Sequence, residues 1–219
     1  MAELYLVRHG QASYGADDYD KLSALGWQQS RWLGEHFAVH GVAFDRIVRG
    51  RLRRHAETLE GIRQGMAVEL AHEEHAGLDE YDARVIMKAH TGADSPQGED
   101  RRAHFRLLRE ALYAWTEGTL AIEAAHGFQG FRGRVLEALG ALRSGEAERV
   151  LVVSSGGPIS AILVEVLGMP ARGVVDLNLQ TRNTGVTELR VTSKAAHLVC
   201  FNAVPHLERP ERRAALTYA

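Results

Sequence analysis

Leu4-Tyr5-Leu6-Val7-Arg8-His9-Gly10-Gln11 is the stretch of this sequence that decides the fold. Its four apolar residues run directly into Arg-His-Gly, and a short apolar run that stops at a glycine predicts a buried strand of a parallel sheet. Open α/β sheets bind ligands at the carboxyl ends of such strands, which is where Arg8 and His9 would emerge. An arginine beside a histidine suits an anion, which the imidazole could hydrogen-bond or attack. Taken alone, however, the two residues are better explained as solvated cations at a strand end, so the remaining sequence must decide.

The composition fits one globular α/β domain that spans residues 1–219. Hydrophobic residues make up 45% of the chain and charged residues 25%, which is usual for a globular protein able to bury a large core. A formal net charge of −2 argues against nucleic acid or a membrane surface as the partner. The apolar runs are too short for a signal peptide or a membrane span, so we expect a cytoplasmic protein. The single cysteine, Cys200, excludes an intrachain disulfide and is predicted to be a buried strand thiol.

Strand-like and helix-like segments alternate along the chain, which predicts the α/β class. Besides the opening strand, apolar runs predict strands at 44–48, 67–70, 150–153, 186–191 and 196–201. Apolar residues at helical spacing predict helices from the N-cap Ser23 to about Gly41, from about Arg51 onward, and over 101–115, 128–142 and 159–167. The last of these helices is nearly all apolar, so it should be deeply buried.

Residues 72–100 are predicted to form an irregular insertion in this domain. Gly77, Gly92, Pro96 and Gly98 lie there among many charged residues, and long loops in compact domains usually serve a function. The charged tail after Pro210 is expected to be loosely held.

Residues able to do chemistry cluster at three further places. Four arginines lie within residues 49–54, where a strand leads into a helix, and cations there oppose the helix macrodipole unless an anion binds. Residues 155–158, Ser-Gly-Gly-Pro, let backbone N–H groups converge at the start of the apolar helix, which also suits an anion. Asp79 and Glu80 form a pair of carboxylates that local sequence cannot rank. Each pattern also has a simpler explanation. The arginines could form a solvated basic face, Ser-Gly-Gly-Pro a tight turn, and the two acids part of a solvated loop.

Together, these segments resemble the histidine phosphatase superfamily, also called phosphoglycerate mutase-like, over nearly the whole chain. Residues 6–10 match the opening signature of that family, and residues 22–29 are similar to the start of its first helix. Residues 50–58 are similar to the family pattern Ser-Pro-Leu-x-Arg-Ala-x-x-Thr, which places the phosphate-binding arginine at Arg54. The resemblance implies a three-layer α/β/α sandwich with a mostly parallel central sheet.

Two departures from the family pattern concern the same site. Leu78-Asp79-Glu80 matches the Leu-x-Glu that carries the family's acid, so Glu80 is favoured, but Tyr81-Asp82-Ala83-Arg84 replaces the Gly-rich sequence that normally follows. Residues 152–157 align with Val-Val-Ser-His-Gly-Gly, yet Ser155 stands where the family has its second histidine. The sequence offers several unranked cations to fill that gap: His55, Arg51, Arg84, His90 and His104.

The resemblance implies a mechanism of phosphoryl transfer to His9. The neutral imidazole would attack phosphorus in line and form a phosphohistidine that water then hydrolyses. Arg8 and Arg54 would stabilise the charge on the other phosphoryl oxygens. Glu80 would protonate the leaving oxygen and later accept a proton from water, which requires a raised pKa.

Substrate contacts are expected from Arg8, Arg54, Gln11, Ser155 and Gly156. Tyr14 and Lys21 lie in the same loop as Gln11, and a solvated loop explains them equally well. The histidines lack the spacing of a metal site, so neither a metal nor another cofactor is expected. A homodimer is expected from base rates alone.

The sequence therefore predicts a phosphatase that hydrolyses small phosphomonoesters and is weakened by Ser155. A lost hydrogen bond to a charged group is worth roughly 1.5–3 kcal/mol, or on the order of 10- to 150-fold in rate. The alternative is a non-catalytic protein of the same fold that binds a phosphorylated ligand. A phosphoglycerate mutase is disfavoured, because residues 79–82 do not resemble the Glu-Arg-x-Tyr-Gly stretch of that branch.

Overall fold

A mixed six-stranded sheet forms the centre of the protein in a computed structural model, which describes residues 1–13, 20–69, 71–93 and 101–218. The strands are β1 (Ala2–Arg8), β2 (Arg46–Arg49), β3 (Glu73–Glu74), β4 (Arg149–Ser154), β5 (Val186–Val191) and β6 (Ala196–Ala203). Their order across the sheet is β3-β2-β4-β1-β5-β6. The first four strands in that order are parallel, whereas β5 runs antiparallel to β1 and β6 antiparallel to β5. The prediction of a mostly parallel sheet is confirmed.

Helices cover both faces of this sheet. They are α1 (Ala24–Val39), α2 (Arg53–Met66), α3 (Ala83–Thr91), α4 (Arg101–Glu117), α5 (Phe128–Leu142), α6 (Gly156–Leu167) and α7 (Gly173–Asn178). Leu4 and Leu6 of β1 pack on the face covered by α5 and α6, and Val7 packs on the face covered by α1 and α2. Both faces of β1 are buried, which explains its unbroken apolar run. The predicted three-layer α/β/α sandwich is confirmed.

The helices of the described ranges were compared with the length and hydrophobicity of a membrane-spanning helix. None of them combines the length and the apolar character that crossing a membrane requires.

Local signals in the sequence placed several elements correctly. The Ser23 hydroxyl accepts a hydrogen bond from the Gly26 N–H across 3.1 Å and so caps α1 as predicted. Helix α5 occupies the predicted residues 128–142. Helix α6 is buried over its first nine residues and ends at Gly168, whose φ of 63° is left-handed.

The strand predicted over residues 67–70 is wrong for the residues that the structure describes. Helix α2 continues to Met66, and Ala67 ends it in the left-handed conformation with φ 55°. Leu70 lies outside the described residues. The edge strand is instead β3, whose two glutamates form ion pairs with Arg46 and Arg49 of β2. Because β3 is marked by charge pairing rather than by apolar residues, hydrophobic patterning could not find it.

Residues 72–93, expected to be irregular, are largely ordered. They contain β3, a 3-10 turn at Ala76–Leu78 and helix α3. The Asp82 carboxylate accepts hydrogen bonds from the first N–H groups of α3, and the helix ends at Gly92 with φ 74°. Ile86 and Met87 of α3 are buried in the core. Residues 94–100 of the predicted insertion lie outside the described residues.

The C-terminal tail is packed against the domain, so the expectation of a loose tail is wrong. Residues Pro210–Ala215 form a 3-10 helix with Ala215 buried. The Gln29 side chain donates to the Ala215 carbonyl across 2.7 Å, and the Asn183 N–H donates to the Thr217 carbonyl across 3.0 Å. The thiol of Cys200, predicted to be buried, lies on β6 with intermediate exposure.

Candidate active site

The predicted site residues meet at the carboxyl ends of β1 and β4. These strands are parallel neighbours with Arg8 opposite Ser154, and the His9 N–H donates to the Ser154 carbonyl across 2.9 Å. His9 and Ser155 therefore leave the two strands side by side. Arg54 enters from the first turn of α2, and Glu80 from the chain just after the 3-10 turn.

His9 is buried, and its ring is held in one neutral tautomer. Its side chain is 6% exposed, and Nδ1 lies 2.7 Å from the Gly10 carbonyl oxygen. A carbonyl oxygen only accepts, so Nδ1 carries the proton and Nε2 keeps its lone pair. Burial lowers the pKa of His9 well below its usual value, and the positive charges of Arg54 and Arg8 lower this pKa further. The imidazole is consequently uncharged at neutral pH.

Arg8 and Arg54 are the two buried cations of the site, with 5% and 8% exposure. Arg8 donates to the carbonyl and hydroxyl oxygens of Thr181 across 2.5 and 3.1 Å. Arg54 forms an ion pair of 2.7 Å with Asp20. Because both guanidinium groups act electrostatically on His9, they lie where they could stabilise an anion attached to it.

Glu80 carries the carboxylate that faces this site. Oε2 accepts from the Gly157 N–H across 3.2 Å and Oε1 from the Tyr81 N–H across 3.1 Å. Burial raises the pKa of Glu80, while Arg54, the two N–H donors and Arg8 oppose the rise. The same two guanidinium groups therefore act on both the His9 ring and the Glu80 carboxylate.

Asp79, the neighbour of Glu80, has a different role. Its carboxylate accepts from the Arg51 N–H across 2.6 Å and pairs with the Arg51 guanidinium at 2.8 Å. Arg134 of α5 donates to the carbonyl oxygens of Asp79 and Glu80. Asp79 thus holds the segment before α2 against the turn. Because its carboxylate is paired with Arg51, Asp79 is distinguished from Glu80, which local sequence could not do.

Ser155 is joined to His55, one of the five candidates to replace the missing histidine, although the lowered pKa of its ring leaves it neutral rather than the expected cation. A hydrogen bond of 2.8 Å links Ser155 Oγ to His55 Nε2, and neither residue is exposed to solvent. The His55 ring centre lies 5.9 Å from that of His9. The remaining candidates lie elsewhere: Arg51 pairs with Asp79, Arg84 is exposed beside Asp82, and His90 and His104 are on α3 and α4.

The remaining predicted substrate contacts are less directly supported. Gln11 Oε1 accepts from the Ser23 hydroxyl across 2.8 Å, so this side chain braces the start of α1. Gly156 begins α6, and a Cβ there would come within 2.0 Å of Asn178 Oδ1. Lys21 is partly buried, and Tyr14 lies outside the described residues. Within the described ranges, no three His, Cys, Asp or Glu side chains are grouped to hold a metal ion.

Sequence reasoning missed the residues that support the site. Thr181 holds Arg8, Asp20 holds Arg54, and the Asn183 side chain donates to the His9 carbonyl across 3.2 Å. Thr181 and Asn183 lie more than 170 positions from their partners in the sequence. Polar residues between α7 and β5 carry no local pattern, so only the fold brings them to the site.

Comparison with known proteins finds similarity to one family over nearly the whole chain. A sequence profile of the histidine phosphatase superfamily (branch 1) matches residues 4–204. The chain is 28% identical over 196 residues to "Probable phosphoglycerate mutase GpmB" of Citrobacter koseri, which covers 86% of this chain and 85% of that protein. It is 27% identical over 220 residues to "Putative phosphoserine phosphatase 2" of Hydrogenobacter thermophilus, covering 94% and 98% respectively. In fold it is similar to the solved structure of Bacillus stearothermophilus YhfR, with a TM-score of 0.71 and 21% identity over 95% of this chain and 100% of that one.

Proposed function

The chain belongs to the histidine phosphatase superfamily, and from that premise we propose that it hydrolyses small phosphomonoesters through a phosphohistidine on His9. The observation that carries the proposal is the state of His9. Its Nδ1–H is fixed on the Gly10 carbonyl, its ring is neutral, and two buried guanidinium groups act on it. A neutral imidazole beside two cations suits attack on a phosphoryl dianion.

In the first step, the Nε2 lone pair of His9 forms a bond to phosphorus while the bond from phosphorus to the ester oxygen breaks. The leaving oxygen takes the proton of Glu80, whose raised pKa favours the protonated form. Arg8 and Arg54 stabilise the charge on the three oxygens that do not leave. The products of this step are an alcohol, phosphohistidine and the Glu80 carboxylate.

In the second step, water attacks the phosphorus of the phosphohistidine. The Glu80 carboxylate accepts a proton from that water, and the electron pair of the P–N bond returns to Nε2 of His9. Release of phosphate regenerates the neutral histidine and the protonated acid, so the cycle balances without a metal or another cofactor.

Binding without turnover is the second candidate function. Ser155 supports it, because a neutral hydroxyl replaces an imidazole of the family pattern. The mutase name of one relative has less support in this chain, because residues 79–82 lack the acid-bearing pattern of the mutase branch.

Turnover of p-nitrophenyl phosphate between pH 5 and 8 separates these candidates. For the phosphatase we expect turnover that His9→Ala abolishes, together with a phosphohistidine that ³¹P NMR detects in alkali. Turnover no higher than that of His9→Ala would overturn the phosphatase proposal. If the wild-type protein then still bound vanadate saturably, the second candidate, binding of a phosphorylated ligand without turnover, would be supported.

A further inference from the structure

Ser155 occupies the N-cap of α6, yet its hydroxyl does not cap the helix. An N-cap serine normally accepts a hydrogen bond from the N–H of the second or third residue of its helix. In α6 these residues are Gly157 and Pro158, and proline has no N–H. The backbone N–H of Gly157 is therefore the only donor that a capping Ser155 hydroxyl could use.

That donor is already used by the candidate acid. The Gly157 N–H donates to Glu80 Oε2 across 3.2 Å. Two acceptors, the Ser155 hydroxyl and the Glu80 carboxylate, thus compete for one N–H group. In the structure, the Ser155 hydroxyl lies 2.8 Å from His55 Nε2 instead, and the Gly157 N–H donates to Glu80.

His55 is well placed to hold the hydroxyl permanently. It lies in the first turn of α2 and is fully buried, and Gly50 packs so closely that a Cβ there would come within 2.2 Å of His55 Nδ1. Burial lowers the pKa of His55 well below its usual value, and Arg54 and Arg49 lower this pKa further. The ring is therefore neutral at neutral pH, and its hydrogen bond to Ser155 does not change with charge.

We propose that His55 is a positioning residue for the acid–base chemistry, which keeps the Ser155 hydroxyl away from Gly157 and so reserves the Gly157 N–H for Glu80. His55 does this without touching the substrate. The effect of His55 on catalysis rests on the proposed phosphatase function. Its effect on whether the Gly157 N–H donates to Glu80 or to Ser155 does not depend on that function.

Removing the imidazole should release Ser155 to cap α6. Glu80 then loses a donor that both orients its carboxylate and lowers its pKa. The charged groups that face Glu80 are Arg8 from β1, Arg54 from α2 and Arg134 from α5, and all three remain. The pKa of Glu80 therefore rises, and the pH at which kcat/KM declines on the basic side rises with it.

A double-mutant cycle tests this mechanism. We expect His55→Leu to lower kcat for an alkyl phosphate, whose leaving oxygen depends on the acid, on the order of tenfold, as for one hydrogen bond to a charged group, and to move the basic limb to higher pH. In a Ser155→Ala background the competing hydroxyl is absent. There, His55→Leu should lower kcat by less than about twofold. His55→Gln, whose amide can still bond to Ser155, should retain most of the wild-type rate.

Equal losses from His55→Leu in the two backgrounds would show that the ring acts by packing alone and would overturn the proposal. If His55→Leu does not fold, His55→Asn, whose amide is too short to reach Ser155, takes its place in the cycle. NMR of the Gly157 amide and titration of the Glu80 carboxyl provide readouts without turnover. An unchanged Gly157 amide in the variant refutes the proposed exchange even if the protein is no phosphatase, and absence of His9-dependent turnover refutes only the proposed function.

Discussion

At the scale of single residues, Ser155 and His55 share one buried space. The sequence alone predicts that Ser155→His, which restores the family's imidazole, raises turnover. In the structure, however, Ser155 Oγ lies 2.8 Å from His55 Nε2, and both residues are fully buried. We therefore predict that Ser155→His lowers both kcat and the melting temperature, because overpacking costs about 1–3 kcal/mol. Adding His55→Ala to Ser155→His makes room for the new ring. The double variant should therefore have a higher kcat and a higher melting temperature than Ser155→His alone. Higher turnover by Ser155→His than by wild type would contradict this account.

The pKa directions of His9 and Glu80 predict the pH profile. In the proposed mechanism His9 must be neutral to attack. Its pKa lies well below the usual 6.5, so activity should be lost only as pH falls through that lowered value. Glu80 must be protonated in the first step, so activity is lost as pH rises through its raised pKa. We expect kcat/KM for an alkyl phosphate to increase as pH falls from 8 to 6. Glu80→Gln should remove the basic limb, and a loss of activity centred on pH 6.5 in the wild type would contradict the assignment of His9.

At the scale of the helix, the start of α6 has no room for a side chain at Gly157. A Cβ there would come within 2.0 Å of Glu80 Oε1 and 2.7 Å of the Tyr81 ring. Gly157→Ala should therefore displace the acid and lower kcat by about 10²-fold, the usual worth of a general acid. Gly140→Ala on α5 is the matched control, because nothing lies within 4 Å of its Cβ. This control should keep full activity and gain about 0.5–1 kcal/mol of stability, measured by urea unfolding.

Elements differ in how far local sequence determines them. β1 and β4 are buried on both faces, so their apolar runs sufficed to predict them. Helix α3 has nine residues, and its ends are set by Asp82 and Gly92 rather than by a long apolar stripe, so periodicity did not find it. The contact between His55 and Ser155 spans 100 positions, and only the parallel pairing of the strands brings these residues together. Resemblance to a family favoured Glu80 over Asp79, whereas the fold was needed to show which candidate lies beside Ser155.

At the scale of the whole molecule, the C-terminal tail is connected to His9 by a chain of hydrogen bonds. The Thr217 hydroxyl accepts from the Gln29 side chain across 2.9 Å and donates to Asn183 Oδ1 across 2.9 Å. Asn183 donates to the His9 carbonyl, and Gln29 accepts from the Gln11 N–H. Thr217, which follows the last 3-10 helix, is thus linked through Asn183 and Gln29 to the segment that carries His9.

Thr217→Val removes that hydroxyl while keeping the shape of the side chain. Gln29 Nε2 and Asn183 Oδ1 each lose a partner, and a lost hydrogen bond costs about 1 kcal/mol, which lowers the melting temperature of a chain of this size by about 2–4 °C. We expect kcat to fall as well, because the Asn183 amide, which donates to the His9 carbonyl, is no longer held by Thr217. Thr217→Ser retains the hydroxyl and should match the wild type in both measurements. If Thr217→Val melts early but turns over p-nitrophenyl phosphate at the wild-type rate, the tail stabilises the domain without positioning His9.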